Sequence, residues 1–249
     1  MDLELTGKRA LVTGGSRGIG KAVARLLAQE GADVALLARD AARLAEAASE
    51  IAASTGRRVV GVSADTRSDD AVRAAVVQAR EQLGGPITIL VNAAAEPAGY
   101  ATPPALEQIR GDFLHAELDV KVMGYIRTAR ELVPDMRSAG WGRIVNVSGL
   151  AARQTGSAVG SIRNVAVAAQ TKNLADELGP AGIQVTVVHP GATRTERTAP
   201  DAKPANSIGH LVTAEEVAQV IVFLCSPKSR AINGDAVCVG GGAPKVIHY

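Results

Sequence analysis

The chain has 249 residues, of which 47% are hydrophobic and only 2% aromatic, and its formal net charge is +2. A near balance of interspersed charges with so little aromatic stacking surface argues against nucleic-acid and membrane-surface binding. Two cysteines, Cys225 and Cys238, are too few for a disulfide framework or a four-thiolate site, and the scattered histidines suggest no metal centre. With no basic leader before an apolar run and no long apolar stretch, the sequence predicts a cytoplasmic protein without a membrane span.

Short apolar runs alternate with helical stretches along the whole chain. Buried strands are predicted at 9–13, 33–38, 58–64, 87–92, 142–148, 183–189 and 236–240. Strict alternation of strand and helix predicts a doubly wound α/β fold: a parallel sheet of about seven strands with helices on both faces. No repeat or linker divides the chain, so a single domain over 1–249 is expected, with a short substrate-loop segment at 192–212.

A glycine-rich loop, TGGSRGIG at 13–20, lies between the first strand and the first helix. Gly14 permits the sharp turn, Gly18 leaves room for a pyrophosphate, and Gly20 allows close helix–strand packing. The start of the helix offers N–H groups and a positive dipole end to phosphate. The residues of this loop predicted to bind a dinucleotide are Gly14, Ser16, Arg17, Gly18, Ile19 and Gly20.

Several motifs in order make the chain resemble the short-chain dehydrogenases/reductases. The Gly-x3-Gly-x-Gly spacing is the form found in that family, and VNAAA (91–95) resembles its fourth-strand signature, with Ala95 in place of a final glycine. GRIVNVSG, the segment 170–196 and INGDAVCVGGG resemble its fifth strand, its catalytic helix with nicotinamide loop, and its last strand. The resemblance implies a Rossmann-type domain with a nicotinamide cofactor, which the methyl of Ala95 could crowd.

Two arginines favour NADP(H) over NAD(H). Arg39 follows the second strand, and Ala38 stands where NAD-preferring members of the family usually carry an aspartate. Arg17 lies within the glycine loop. Two guanidinium groups at the adenosine ribose would pair with a 2′-phosphate. The alternative is that both arginines are solvated surface charges.

The resemblance implies further cofactor contacts along the strand ends. Asp65 matches the adenine contact after the third strand, and Asn92 matches a ribose-side contact after the fourth. Thr195 matches the threonine that holds the carboxamide, with Pro190 and Gly191 before it.

The catalytic residues of the family are missing. Its members use a tyrosine as proton donor, a lysine four residues later that lowers the tyrosine pKa, a serine that holds the substrate oxygen, and an asparagine that maintains a water relay. Counting from the flanking motifs, these four positions are Ile162, Ala166, Gly149 and Lys121. No shift of register supplies the tyrosine, because the chain contains only Tyr100, Tyr125 and Tyr249.

Two hypotheses account for this loss. The one the sequence favours is a non-catalytic, cofactor-binding subunit in a homo- or hetero-tetramer, supporting an active relative through the helices at about 103–138 and 158–179. The alternative is an atypical enzyme, a carbonyl reductase or a non-redox lyase or isomerase, with a small-molecule substrate.

An atypical enzyme needs substitute groups near the vacated cleft. Lys121 is the first candidate, because a buried lysine beside a cofactor can serve as acid or base. Ser148 could hold a substrate oxygen, although a structural hydroxyl at the strand end is favoured. Other polar groups expected near the cleft are Tyr100, His115, Arg153, Arg163, Asn164 and His189.

Overall fold

The computed structural model describes residues 1–95 and 103–243. Its central sheet is parallel and seven-stranded, and all seven predicted strands are confirmed. The strands of this sheet are β1 (Arg9–Thr13), β2 (Asp33–Ala38), β3 (Val59–Ser63), β4 (Ile89–Asn92), β5 (Gly142–Val147), β6 (Ile183–Pro190) and β9 (Ala236–Val239). Two short strands outside it are β7 (Thr193–Arg194) and β8 (Val212–Thr213). The order in the sheet is β3-β2-β1-β4-β5-β6-β9, while β7 and β8 pair separately.

Helices cover both faces of this sheet. They are α1 (Gly18–Gln29), α2 (Ala41–Thr55), α3 (Asp69–Leu83), α4 (Gly111–Leu118), α5 (Gly124–Ala139), α6 (Ala158–Leu178) and α7 (Ala214–Leu224). Apolar residues of α1, α2 and α7 pack into the core on one face, and those of α3, α5 and α6 pack on the other. This is the predicted doubly wound Rossmann-type architecture.

The chain reverses direction across the sheet at β1. This strand pairs with β2 on one side and with β4 on the other, so the crossovers leave in opposite directions. In such sheets a crevice opens beyond the carboxyl ends of the strands where the order reverses, and ligands bind there. The fold therefore places a cleft next to the glycine loop that follows β1.

The long helix expected over about 103–138 is interrupted. The segment Asp119–Met123, between α4 and α5, is a π-helical turn and carries Lys121. Such turns are rare and frequently lie at functional sites. At the next residue, Gly124 approaches the loop after β3 so closely that a Cβ would lie 3.0 Å from Thr66 Cβ. Lys121 of this turn lines the cleft.

The predicted substrate-loop segment 192–212 is closed at its base. Thr193 pairs with Val212 in the short ladder between β7 and β8, so the two ends of the segment are held together. Within residues 1–95 and 103–243, no helix is both long enough and apolar enough to cross a membrane.

Candidate active site

A cavity of about 760 Å³ opens at the carboxyl ends of the central strands. Every residue predicted to bind the cofactor lines it except Asn92. Those lining residues are Gly14, Ser16, Arg17, Gly18, Ile19, Gly20, Arg39, Asp65, Pro190, Gly191 and Thr195. Both proposed substitute residues, Lys121 and Ser148, line the same cavity, and so does Ala95. The sequence motifs therefore converge on one site.

The glycine loop has the geometry of a phosphate cradle. Gly14 has φ +68°, and a Cβ on it would lie 2.8 Å from the Ala93 carbonyl oxygen. A Cβ on Gly20 would lie 2.3 Å from the Gly14 carbonyl oxygen, so a side chain at either position would force the loop apart. Arg17 caps α1 with extended backbone and makes no side-chain hydrogen bond to the helix start. The Arg17 side chain therefore does not cap the N–H groups at the start of α1.

A carboxylate that the sequence did not single out lies at this helix start. The Gly18 N–H donates to Glu196 Oε1 at 2.9 Å and to Oε2 at 3.2 Å. Helix N-termini bind anions because their N–H groups and the helix dipole favour negative charge. Glu196 therefore stands in for a phosphate group, which shows that the loop fits the dinucleotide the family uses.

The adenosine end of the cavity is basic. Arg17, Arg39 and Arg43 all line it, and Arg43 was not predicted from the sequence. Arg43 lies four residues after Arg39 in the first turn of α2, where it also pairs with Asp40 at 3.2 Å. Hydrogen bonds from Arg67 lower the pKa of Asp65, so its carboxylate stays ionised at the adenine position. Several guanidinium groups here fit a ribose 2′-phosphate.

The side chain of Asn92, which the resemblance places on the ribose side of the cofactor, is hydrogen-bonded beneath the cavity. Its Nδ2 donates to Asn146 Oδ1 at 3.0 Å, and its Oδ1 accepts from Thr128 Oγ1 at 2.8 Å. Asn146 in turn donates to Thr171 Oγ1 at 2.9 Å. These buried bonds tie β4 and β5 to α5 and α6 beneath the cavity. The amide is occupied in holding the cleft walls together.

Lys121 lies buried at the edge of the cleft. Its side chain is buried, with 5% of the residue exposed, and Nζ donates to the Ser148 carbonyl oxygen at 2.7 Å and to Asn164 Oδ1 at 3.0 Å. Burial lowers the pKa of Lys121 from 10.5 to about 7. The positive charge of Arg163 contributes to this lowered pKa, and the negative charge of Glu117 opposes it. Lys121 can therefore change protonation state near neutral pH.

The serine region is rearranged around Asn164. The Ser148 hydroxyl donates to the Asn164 carbonyl oxygen at 3.0 Å, which supports the structural role favoured from the sequence. Gly149 has no side chain to offer a substrate. A Cβ on Gly149 would lie 3.1 Å from Asn164 Nδ2, so the asparagine amide fills the space beside this glycine.

The tyrosine and lysine positions derived by counting from Gly149 do not face the cleft. Ile162 is 49% exposed, Ala166 is half-buried, and neither lines the cavity. The α6 residue that meets Lys121 is Asn164, and the residue one helical turn earlier on that face is Gly160. The count is therefore corrected by two residues. Gly160 and Asn164 supply neither a phenol nor an amine.

Tyr125 and Arg163 are both occupied near the cleft. The Tyr125 hydroxyl lies 3.1 Å from the Ala94 carbonyl oxygen and 3.0 Å from that of Val147, to which it donates. Burial raises the pKa of Tyr125 well above its usual value, so this phenol does not ionise at neutral pH. Arg163 forms a largely buried ion pair with Glu117.

The remaining polar candidates lie away from the cavity lining. His189 is buried within β6 beside Cys238 of β9, while His115 and Arg153 are exposed. Tyr100 lies outside the described residues. Within the described part of the chain, no cluster of three or more His, Cys, Asp or Glu residues could hold a metal ion. Lys121 is thus the candidate that the structure brings to the cavity with a perturbed protonation equilibrium.

Comparison with known proteins agrees with this architecture. The family model described as enoyl-(acyl carrier protein) reductase matches residues 14–244. The short-chain reductase protein NovJ of Streptomyces niveus is 34% identical over 94% of this chain and 93% of its own. The 3-oxoacyl-[acyl-carrier-protein] reductase FabG of Aquifex aeolicus is 33% identical over 97% of this chain and 99% of its own.

Solved structures give the same result. L-sorbose reductase from Gluconobacter frateurii, complexed with NADPH and L-sorbose, has a TM-score of 0.90 at 30% identity and covers 99% of this chain and 100% of its own. A short chain dehydrogenase from Burkholderia cenocepacia, in complex with NADP, has a TM-score of 0.84 at 36% identity, covering 96% and 98%. The chain is thus a member of the short-chain dehydrogenase/reductase family.

Proposed function

We propose that the protein is an NADP(H)-dependent oxidoreductase that interconverts a small carbonyl compound and its alcohol, with Lys121 as the group that transfers the proton. NADP(H) is supported by the arginines at the adenosine end and by the two structural relatives solved with NADPH and NADP. The sequence favoured a non-catalytic subunit. We now favour an enzyme, because a titratable amine at the same cavity can replace the missing tyrosine as proton donor.

The observation that carries the proposal is the placement of Lys121. Its Nζ lies between two neutral oxygen acceptors, at the edge of the cavity and out of bulk water. A group whose pKa lies near the working pH is both a usable acid and a usable base. Protonated Lys121 can give a proton to the oxygen of a carbonyl undergoing reduction, and neutral Lys121 can take one from an alcohol.

The other residues bind and orient the ligands. The α1 N-terminus and the arginines hold the phosphates, and Pro190, Gly191 and Thr195 line the same cavity. When bound, the dinucleotide supplies or accepts the hydride. Closing the base of segment 192–212 through β7 and β8 keeps the far wall of the cavity in place.

The test compares Lys121→Met with the unchanged protein, both purified to homogeneity. We expect NADPH-dependent reduction of at least one compound in a panel of aldehydes, ketones and 3-oxoacyl thioesters. Lys121→Met should lower turnover about 100-fold or more, since it removes the only proposed acid, while NADPH affinity from fluorescence titration stays unchanged. Lys172→Met is the control, because Lys172 is exposed on α6 and pairs with Asp176. Full turnover by Lys121→Met would contradict the proposal.

The second candidate function is the non-catalytic subunit. It is favoured by Ile162 and Val165, two apolar side chains that α6 exposes on the helix expected to form subunit contacts. Purification from the native cell without overexpression distinguishes the two. A related family member present in fixed ratio, with no turnover by this chain alone, would support the subunit role. A homotetramer that turns over substrate would reject it.

A further inference from the structure

Asn164 contacts each part of the rearranged catalytic region. Its Oδ1 accepts from Lys121 at 3.0 Å, its main-chain oxygen accepts from the Ser148 hydroxyl at 3.0 Å, and its Nδ2 packs beside Gly149. The residue is 3% exposed and lies on the inward face of α6. It connects α6 with the turn that carries Lys121 and with the loop after β5.

The chemistry of the two side chains fixes the direction of the amide. A protonated lysine has only donors, so the Asn164 oxygen must face Nζ and the Nδ2 group must face Gly149. With the Ser148 carbonyl as the second acceptor, two of the three N–H bonds are used. In the proposed function, the third N–H bond donates to a substrate oxygen.

We propose that Asn164 is the positioning residue for Lys121: its neutral amide oxygen holds Nζ at the cavity edge without pairing it with a negative charge. The proposal rests on the proposed function only in taking Lys121 as the proton-transferring group. A carboxylate in this position would hold the lysine charged and oppose proton release. An apolar side chain would leave Nζ with one protein acceptor and a less defined direction.

The charged groups around Lys121 oppose each other, so the neutral contact with Asn164 can influence the protonation of Nζ. Glu117 comes from α4 and Arg163 from α6, and they pair with each other, so their fields on Nζ oppose. From α5, Tyr125 presents a hydroxyl bonded to main-chain oxygens, and the loop after β5 presents the Ser148 carbonyl. A substitution of Asn164 by aspartate would therefore place a negative charge in direct contact with Nζ.

The test follows the Lys121 amine itself. In cofactor-free protein labelled with 13Cε-lysine, the Lys121 NMR signal is assigned by its loss in Lys121→Met and then titrated with pH. Asn164→Asp should raise its midpoint by about one unit or more, because an opposite charge in hydrogen-bond contact favours the ammonium form. Asn173→Asp is the matched control: it adds the same charge at an exposed site on the same helix and should leave the midpoint in place.

Turnover gives the second measurement. Asn164→Ala should lower kcat about tenfold with the KM for NADPH unchanged, since Lys121 stays present but loses one of its two acceptors. Asn164→Asp should move the fall in reductase activity to higher pH, because it raises the pKa of Lys121. Equal shifts of the Lys121 signal in Asn164→Asp and Asn173→Asp, or none in either, would overturn the role of Asn164 even if Lys121→Met is inactive. An active Lys121→Met would instead overturn the proposed function.

Discussion

The cofactor-binding end and the proton-transfer end of the cleft differ in how closely they follow the sequence motifs. At the cofactor end, the glycine loop, the α1 N-terminus and the basic residues stand where the sequence motifs place them. At the other end, a contact between Lys121 and Asn164 joins the turn between α4 and α5 to α6. Main-chain recognition of phosphate leaves a glycine pattern that can be read in sequence. Proton transfer depends on which side chains meet across space, and different residues can fulfil it.

The largest expected effect tests the cofactor end. Substituting both Arg17 and Arg39 by alanine should weaken NADPH binding about 100-fold, because each removes a charge-assisted bond to the 2′-phosphate. NADH lacks that phosphate, so its affinity should change little. Fluorescence titration with both cofactors measures the difference. An equal loss for both cofactors would mean that the arginines shape the loop rather than select the phosphate.

The same contrast shows which parts of the fold and of the site can be predicted from the sequence. The seven strands were predicted because buried parallel strands read as continuous apolar runs, and the phosphate cradle because glycines are needed where Gly14 and Gly20 approach the main chain. Counting along the chain placed Ile162 and Ala166 in the site, whereas α6 directs Asn164 there. Such counts depend on the length of the loop before the helix, which local pattern does not fix.

Other features of the site arise only from the three-dimensional arrangement. The pKa of Lys121 depends on its burial in a π-helical turn and on the Glu117–Arg163 pair, which joins residues far apart in sequence. Asn92 has the residue type and position of a cofactor ligand, yet its amide is bound by Thr128 and Asn146. A polar side chain at a strand end can face either the cleft or the core, and its neighbours decide.

A second prediction concerns pH and the proton-transfer end. Because Lys121 must be protonated to act as the acid, kcat/KM for carbonyl reduction should be level below its pKa of about 7 and fall roughly tenfold per unit above it. Alcohol oxidation needs the neutral amine, so its kcat/KM should rise roughly tenfold per unit up to a pH of about 7 and be level above it. Rates measured in both directions from pH 5 to about 9 test this. A reduction rate that is flat to pH 9 would exclude Lys121 as the acid.

The stability of the protein should respond to the same equilibrium. Between a pKa of about 7 in the folded state and the ordinary 10.5, the unfolded chain binds more protons at Lys121, so stability rises with pH in this window. Urea unfolding of the unchanged protein and of Lys121→Met separates this contribution from those of other groups. The difference in unfolding free energy should favour the unchanged protein increasingly as pH rises above about 7.

The smallest predicted effect lies where the substrate loop meets the cofactor site. Glu196 accepts the Gly18 N–H, so its carboxylate stands at the helix start that a cofactor phosphate would use. The adjacent turn is held by a hydrogen bond from the Thr195 N–H to Thr198 Oγ1 at 2.9 Å. The Glu196 carboxylate must leave the Gly18 N–H before a phosphate can bind there. Glu196→Gln keeps an oxygen acceptor but removes the competing charge, and should tighten NADPH binding about fivefold.

Glu81→Gln makes the same change in net charge on an exposed face of α3, far along the chain from the loop, and should leave NADPH affinity unchanged. The gain in Glu196→Gln should also shrink at high salt, because a partly exposed charge is screened. Weaker NADPH binding by Glu196→Gln would mean that the carboxylate supports the site instead of competing for it. The loop beyond β6 would then belong to the cofactor-binding end of the cleft, since its carboxylate would contribute to holding the dinucleotide.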